Sequence, residues 1–351
     1  MTLAKTKSST KSAQKSSQSK LRLSKDLLVK IHDLMVKARA LEERLIKMYK
    51  QNDGYFWIGG PGEESFNVPL GMLLKKGQGP KFDYFHGHYR SSGVLIAMGA
   101  DPLDTIRQMK NSALDPYSGG RNFVNHQSIQ KWNICPISSP IEVQFSIAPG
   151  TALANKRSRA KSLSVVVGGD AGTAEGDFHT SLVWSSRPGN ELPLLMIVTN
   201  NKWGISTPAE TQQGGDIVER GKAFGMRCEF LNGLDPEESY IKLKEILEYI
   251  REEQKPVLLE AAVSRLYGHS SASGANFVTN EMDPVKEFES KLVKTGVLNR
   301  EAIQQVWDKY NNMMLQYAQQ VRNEPQPNPD SIYENVFKGD GSVEAADLRN
   351  F

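Results

Sequence analysis

Cysteine is scarce: Cys135 and Cys228 are the two in 351 residues, too few for a disulfide framework. Neither belongs to a Cys-x-x-Cys pair of the kind that holds zinc, so a reduced interior compartment is the simpler setting. Long apolar runs are missing as well. No stretch approaches the ~18 residues needed to cross a bilayer, and the expectation is a soluble protein with no membrane partner. No Gly-x-Gly-x-x-Gly follows a strand-like segment, which argues against a nicotinamide enzyme. Acid is missing from residues 1–24, which carry Lys5, Lys7, Lys11, Lys15, Lys20 and Arg22. The formal charge of the chain is +3, so removing those six cations leaves −3 for the remainder. The basic balance belongs to a Ser/Lys-rich tail expected to be disordered, and it carries no argument for nucleic acid.

What remains is long enough for a large core. Three parts are expected: the tail at 1–24, an α/β domain with flanking helices over 25–330, and a polar tail at 331–351. Apolar residues at helical spacing over Asp26–Gln51 predict a long amphipathic helix. Further helices are expected over Asn67–Leu74, Asp104–Met109, Ile147–Arg157, Pro236–Glu253, Pro284–Lys294 and Glu301–Asn323. Leu114–Pro136 is a long polar stretch rich in Gly and Pro, a composition that inside a compact domain marks a functional or mobile segment. Strands alternate with helices, which predicts an α/β fold with a doubly wound, mostly parallel sheet and long helices at both ends.

Two short β-branched or apolar runs, Ser162–Gly168 and Leu192–Thr199, read as buried strands, with a helix over Asp177–Trp184 between them. Gly169-Asp170 closes the first run and Asn200-Asn201 closes the second. A carboxylate and a carboxamide then lie at two neighbouring strand ends, at the edge where open α/β sheets bind ligands. Such oxygen donors suit a hard cation like Mg²⁺ that keeps positions open for a phosphate. An alternative reading is structural: Asp170 caps the next helix and Asn200-Asn201 makes a tight turn.

The pair resembles the thiamine diphosphate motif. The surrounding segments resemble the alpha subunit of the 2-oxo acid dehydrogenase first component, of the branched-chain and pyruvate type. They include Gly62-Glu-Glu64, His88-Tyr-Arg90, Ile137-Ser-Ser-Pro140, Gly169–Asp177, Ile205-Ser-Thr-Pro208 and Arg265–Ser270, and the likeness runs from about Leu27 to Pro327. The resemblance implies that Asp170, the Asn201 side chain and the Trp203 carbonyl hold Mg²⁺. It implies that Tyr89 and Arg90 contact the diphosphate, with Arg265 as a second cation, and that Gly169 and Ala171 lie in the cofactor motif. Ile141 would wedge the cofactor into its bent shape. For Ile205 the resemblance implies a contact with the cofactor, whereas the residue type by itself reads as ordinary core. His269 matches the active-site histidine, with work in proton transfer or charge stabilisation. His86 and His88 flank the phosphate loop, His126 is left open, and His32 and His179 read as structural.

Several positions depart from the family pattern. Ala171 replaces a glycine, and Thr199 stands where branched-chain relatives carry an arginine. The Ile137-Ser-Ser-Pro140 loop with Gln144 resembles a K⁺ site, but Val143 replaces a hydroxyl ligand, and a Ser-Ser-Pro turn leading a helix is the competing reading. The implied activity is decarboxylation of a 2-oxo acid, branched-chain favoured, with transfer of the acyl group to the lipoyl arm of a separate acyltransferase. Pyruvate and acetoin dehydrogenase alpha chains are alternatives, as is a cofactor-deficient assembly partner. The implied assembly is α₂β₂, with the activating glutamate on the beta subunit. The compartment is the bacterial cytoplasm, or the mitochondrial matrix in a eukaryote.

Overall fold

The computed structural model describes residues 22–334. The expected tail at 1–24 lies outside these residues except for its last three, as does the polar tail beyond 334. Helix α1 (Lys25–Lys50) starts at Ser24, whose hydroxyl accepts the Leu27 N–H, and it buries Ile31, Met35, Ala38, Leu41, Leu45 and Met48 along one stripe. Helix α2 (Glu64–Leu73) is followed by the short strand β1 (Tyr84–His86) and by helices α3 (Ser92–Met98) and α4 (Pro102–Met109). Helix α5 (Val143–Ser158) leads into β2 (Ser164–Gly169), α6 (Gly176–Ser185) and β3 (Leu194–Asn200). A small hairpin of β4 (Trp203–Gly204) and β5 (Thr207–Pro208) follows, then α7 (Ile217–Lys222), β6 (Arg227–Asn232), α8 (Pro236–Glu253) and β7 (Val257–Ala262). Helices α9 (Pro284–Lys294) and α10 (Arg300–Val321) finish the fold.

The main sheet of the described residues is entirely parallel, in the order β1-β2-β3-β7-β6. Side chains alternate across it, as the period of two requires. Val165, Val167, Leu195, Ile197 and Leu259 pack on α2, α3 and α8. Val166, Leu194, Met196, Val198 and Leu258 pack on α5, α6 and α7. Parallel strands covered on both faces read as continuous apolar runs, which is why β2, β3 and β7 stand out in the sequence. A separate core joins α1 to α9 and α10 and forms an extra helical layer behind α2 and α3. Each fully buried Leu, Ile or Val in these cores contributes about 1.5–3 kcal/mol.

Helices α8 and α9 have the bounds the sequence predicts, because each opens on an Asp-Pro pair. Asp235 and Asp283 accept the free N–H groups of the first turn, and Pro236 and Pro284 occupy the first helical position. Strands β1 and β6 have no counterpart among the predicted elements. Of these, β1 is three residues long, and β6 lies at the sheet edge with Phe230 60% exposed, so neither has an apolar run. Helix α5 begins four residues before the predicted start, directly at the end of the Ser-Ser-Pro turn.

Candidate active site

Strands β2 and β3 are adjacent and in register, with Gly169 opposite Thr199, so Asp170 and Asn201 emerge side by side at the carboxyl edge. They share one cleft with Tyr89, Arg90, Ile141 and His269, and Gly169, Ala171, Trp203 and Ile205 also line it. Asp170 is 2% exposed, and its Oδ2 has no hydrogen-bond partner. Burial pushes this carboxyl above its ordinary range, while Arg90 and Arg265 pull the other way. An unpartnered buried carboxylate oxygen facing a cleft fits a cation ligand better than a helix cap, and its side chain makes no capping bond. The Asn201 Oδ1 accepts the Trp203 N–H at 3.0 Å, which fixes the carboxamide and leaves a second lone pair on that oxygen.

Tyr89 and Arg90 reach the cleft from the segment between β1 and α3. The Arg90 carbonyl accepts Asn67 Nδ2 at 3.0 Å. Gly60 passes so close that a Cβ there would lie 2.7 Å from the same carbonyl, so the loop at 54–62 needs glycine at this crossing. The His269 segment leaves β7 and is tied to that loop by Leu266 N–H to the Pro61 carbonyl (3.0 Å) and Ser271 N–H to the Trp57 carbonyl (2.7 Å). Arg90 Nη2 lies 3.1 Å from His269 Nδ1. A guanidinium can only donate, so Nδ1 accepts and the ring proton of neutral His269 sits on Nε2. Burial, with Arg90 and Arg265 adding to it, lowers the His269 pKa to about 4. The imidazole is therefore uncharged at neutral pH and offers an N–H donor rather than a cation.

Arg265 lies at the margin of the cleft. Its Nη1 donates to the Ile205 carbonyl at 2.7 Å, and its guanidinium lies over the Trp203 ring. It makes no strand-end ion pair among the described residues. Ile205 departs from the core reading: it is 57% exposed with a left-handed φ of +57°. The β4–β5 hairpin turns at this residue, and its side chain is presented to the cleft instead of the interior. Ile141 is 44% exposed at the opposite wall. Ala171 has no positive φ, so its side chain adds no backbone strain. Thr199 is buried and spends its hydroxyl on the Gly168 carbonyl.

The family model of the dehydrogenase E1 component matches residues 32–330. The chain belongs to that family. Dependence on thiamine diphosphate goes with the family. The 2-oxoisovalerate dehydrogenase subunit alpha of Bacillus subtilis (strain 168) is 29% identical over 318 residues, covering 88% of this chain and 94% of that relative. The mitochondrial subunit alpha 2 of Arabidopsis thaliana is 27% identical over 90% of this chain and 68% of its own length. The mitochondrial human subunit alpha is 25% identical over 90% and 72%.

The cleft of this E1 chain encloses about 110 Å³. Small-molecule sites usually enclose ~300–1,000 Å³, so this cleft is smaller than a site that encloses a whole cofactor. Larger hollows near α8–α9 and beside α4 hold about 310 and 380 Å³, but they gather none of the site residues. Sequence reasoning passed over Glu142 and Gly172, which also line the cleft, because nothing in a Ser-Ser-Pro-Ile-Glu run marks the glutamate. His126 is now placed: Nδ1 faces its own Val124 carbonyl at 3.0 Å, so Nε2 accepts from the Ser139 hydroxyl at 2.6 Å, and the ring stacks near Tyr89. His86 is scaffold, bonded to Thr151 at 2.8 Å, and His32 bonds Glu289 between α1 and α9. His88 is buried against Tyr89, with Nδ1 unpartnered. His179 sits exposed on α6. The Ser-Ser-Pro turn leads α5, and Gln144 donates to the Val167 carbonyl with its own Oε1 unpartnered.

Proposed function

We propose that this chain is the alpha subunit of a branched-chain 2-oxo acid dehydrogenase first component. It works with a beta subunit in an α₂β₂ assembly and delivers the acyl group to a lipoyl-bearing acyltransferase. The observation that carries this reading is the buried, unpartnered Asp170 Oδ2 beside Asn201, with Arg90 and His269 in the same cleft. In this reading Asp170, Asn201 and the Trp203 carbonyl hold Mg²⁺. Tyr89 and Arg90 grip the diphosphate, since Arg offers a planar fork and Tyr a directional donor. Ile141 and Ile205 supply apolar walls. Bound thiamine diphosphate supplies the electron sink that decarboxylation requires.

The protein's own part follows from the geometry. Arg90 keeps the His269 Nε2–H available to donate to a developing oxyanion or to a departing group. Half a cleft cannot exclude water, so the beta subunit is needed both to close the site and to supply the cofactor-activating carboxylate. The branched-chain substrate is favoured by the named activity of the relatives. At the Ser-Ser-Pro loop, Gln144 Oε1 is free to ligate K⁺, whereas Ser139 is engaged with His126. Compartment would follow source: cytoplasm in a bacterium, mitochondrial matrix in a eukaryote, as in the names of the Arabidopsis and human relatives.

Co-expression with a beta-type chain, assayed with a dye electron acceptor, tests the reading. The pair is expected to decarboxylate 3-methyl-2-oxobutanoate faster than pyruvate, and the alpha chain alone neither. A preference for pyruvate would move the chain to the pyruvate type. Cofactor binding with no decarboxylation of any 2-oxo acid would leave an assembly partner.

A further inference from the structure

Glu142, between the Ser-Ser-Pro turn and α5, is 1% exposed and has a left-handed φ of +64°. Its Oε1 accepts the Gly169 N–H at 3.2 Å, while Oε2 is buried without a hydrogen-bond partner. A Cβ built at Gly168 would overlap this carboxyl, and a Cβ built at Gly172 would overlap both the carboxyl and the Glu142 Cγ. Neither glycine has a positive φ. Backbone conformation therefore does not call for glycine at 168 or 172. The space taken by Glu142 does.

We propose that Glu142 is a positioning residue for the Asp170 loop, its carboxyl standing in for the side chains that residues 168 and 172 lack. The proposal rests on the reading of Asp170 as a metal ligand and deepens it. Segment 168–172 has Asp170 at its centre, and interiors are packed too closely for such a peg to be removed without movement. Alanine at 172 alone drives the carboxyl toward the cleft that Glu142 already lines. Alanine at 142 alone leaves a void beneath the loop and strips the Gly169 N–H of its acceptor. Alanine at both positions puts a methyl group back into part of that void.

The test is a double-mutant cycle in the α–β pair, reading thiamine diphosphate affinity by calorimetry and the half-saturating Mg²⁺ concentration. E142A and G172A are each expected to weaken binding and raise the Mg²⁺ requirement about tenfold. The double variant E142A/G172A should return to within about threefold of wild type, because contacting sites are not additive. E142Q keeps the volume and the acceptor for Gly169, so it should also stay within about threefold. A double variant showing the product of the single losses, about 100-fold, would overturn the proposal. So would E142Q behaving like E142A. If E142A fails to assemble, assembly of the double variant supports the coupling and its failure overturns it. A wild-type pair that binds no Mg²⁺–cofactor would remove the reading of Asp170, and the proposal with it; normal wild-type binding without rescue removes the proposal alone.

Discussion

Arg39 and Arg90 are both almost fully buried, and the molecule satisfies them in opposite ways. Arg39, on α1, makes a two-pronged bond to Glu64 (2.6 and 2.9 Å) and a third to Asp283 (2.9 Å), pinning α1, α2 and the start of α9 together. Burial by itself would lower this guanidinium's pKa, yet the two carboxylates raise it above its ordinary value. Arg90 has no such partners. Glu63 stands 3.9 Å away, too far for a hydrogen bond, and burial pushes that carboxyl up to about 8. Around Arg90, Glu63 Oε1, His88 Nδ1 and Asp170 Oδ2 are all buried without hydrogen-bond partners. Buried polar groups are normally paired, so a cluster left open marks where a ligand completes the network. The scaffold closes its own charges, and the cleft keeps its charges for something else.

Breaking the closed network should have the largest effect. Arg39→Met leaves Glu64 and Asp283 unpaired inside the protein and is expected to destabilise it by about 3–5 kcal/mol, read by urea unfolding of the α–β pair. A loss below about 1 kcal/mol would erase the distinction between the two arginines. Asp170→Ala should do the reverse. Mg²⁺-dependent cofactor binding falls by about 100-fold or more, as first-sphere ligands matter at least as much as the groups behind them. Unfolding without cofactor should stay close to wild type, and a large stability loss would return Asp170 to the scaffold. Next, His269→Ala should spare binding and lower turnover by about 100-fold, the lower end for a positioned proton donor. Unchanged turnover would demote the residue.

The last expected effect is one of pH. Burial lowers the His86 pKa from 6.5 to about 4. The unfolded chain therefore takes up this proton first as pH falls. Stability is lost from pH 6.5 down toward 4, and His86 contributes no slope above 6.5. His86→Asn should flatten the thermal-unfolding midpoint across that window, and an unchanged slope would show that other groups govern it.

The strand tips were legible because β2 and β3 are covered on both faces and end abruptly in polar residues. Helices α8 and α9 were legible to the residue from their Asp-Pro openings, whereas α4, with the same opening at Asp101-Pro102, starts two residues before the expected Asp104. The edge strand β6 was not, since Arg227, Glu229 and Phe230 follow no buried pattern. Ile205 misled for a related reason: an aliphatic side chain normally signals core, and only the turn of the hairpin, held by Arg265, shows it facing the cleft. Glu142 was invisible because its role depends on two glycines 26 and 30 positions further along, brought next to it by the return of α5 into β2.

The 3.1 Å link from Arg90 to His269 joins two duties that are usually kept apart. In the proposed reading, the guanidinium that would grip the diphosphate also decides which ring nitrogen carries hydrogen. Loosening that anchor would free the imidazole to swap tautomers, so weak retention of the cofactor would show up as slow chemistry even in enzyme saturated with it.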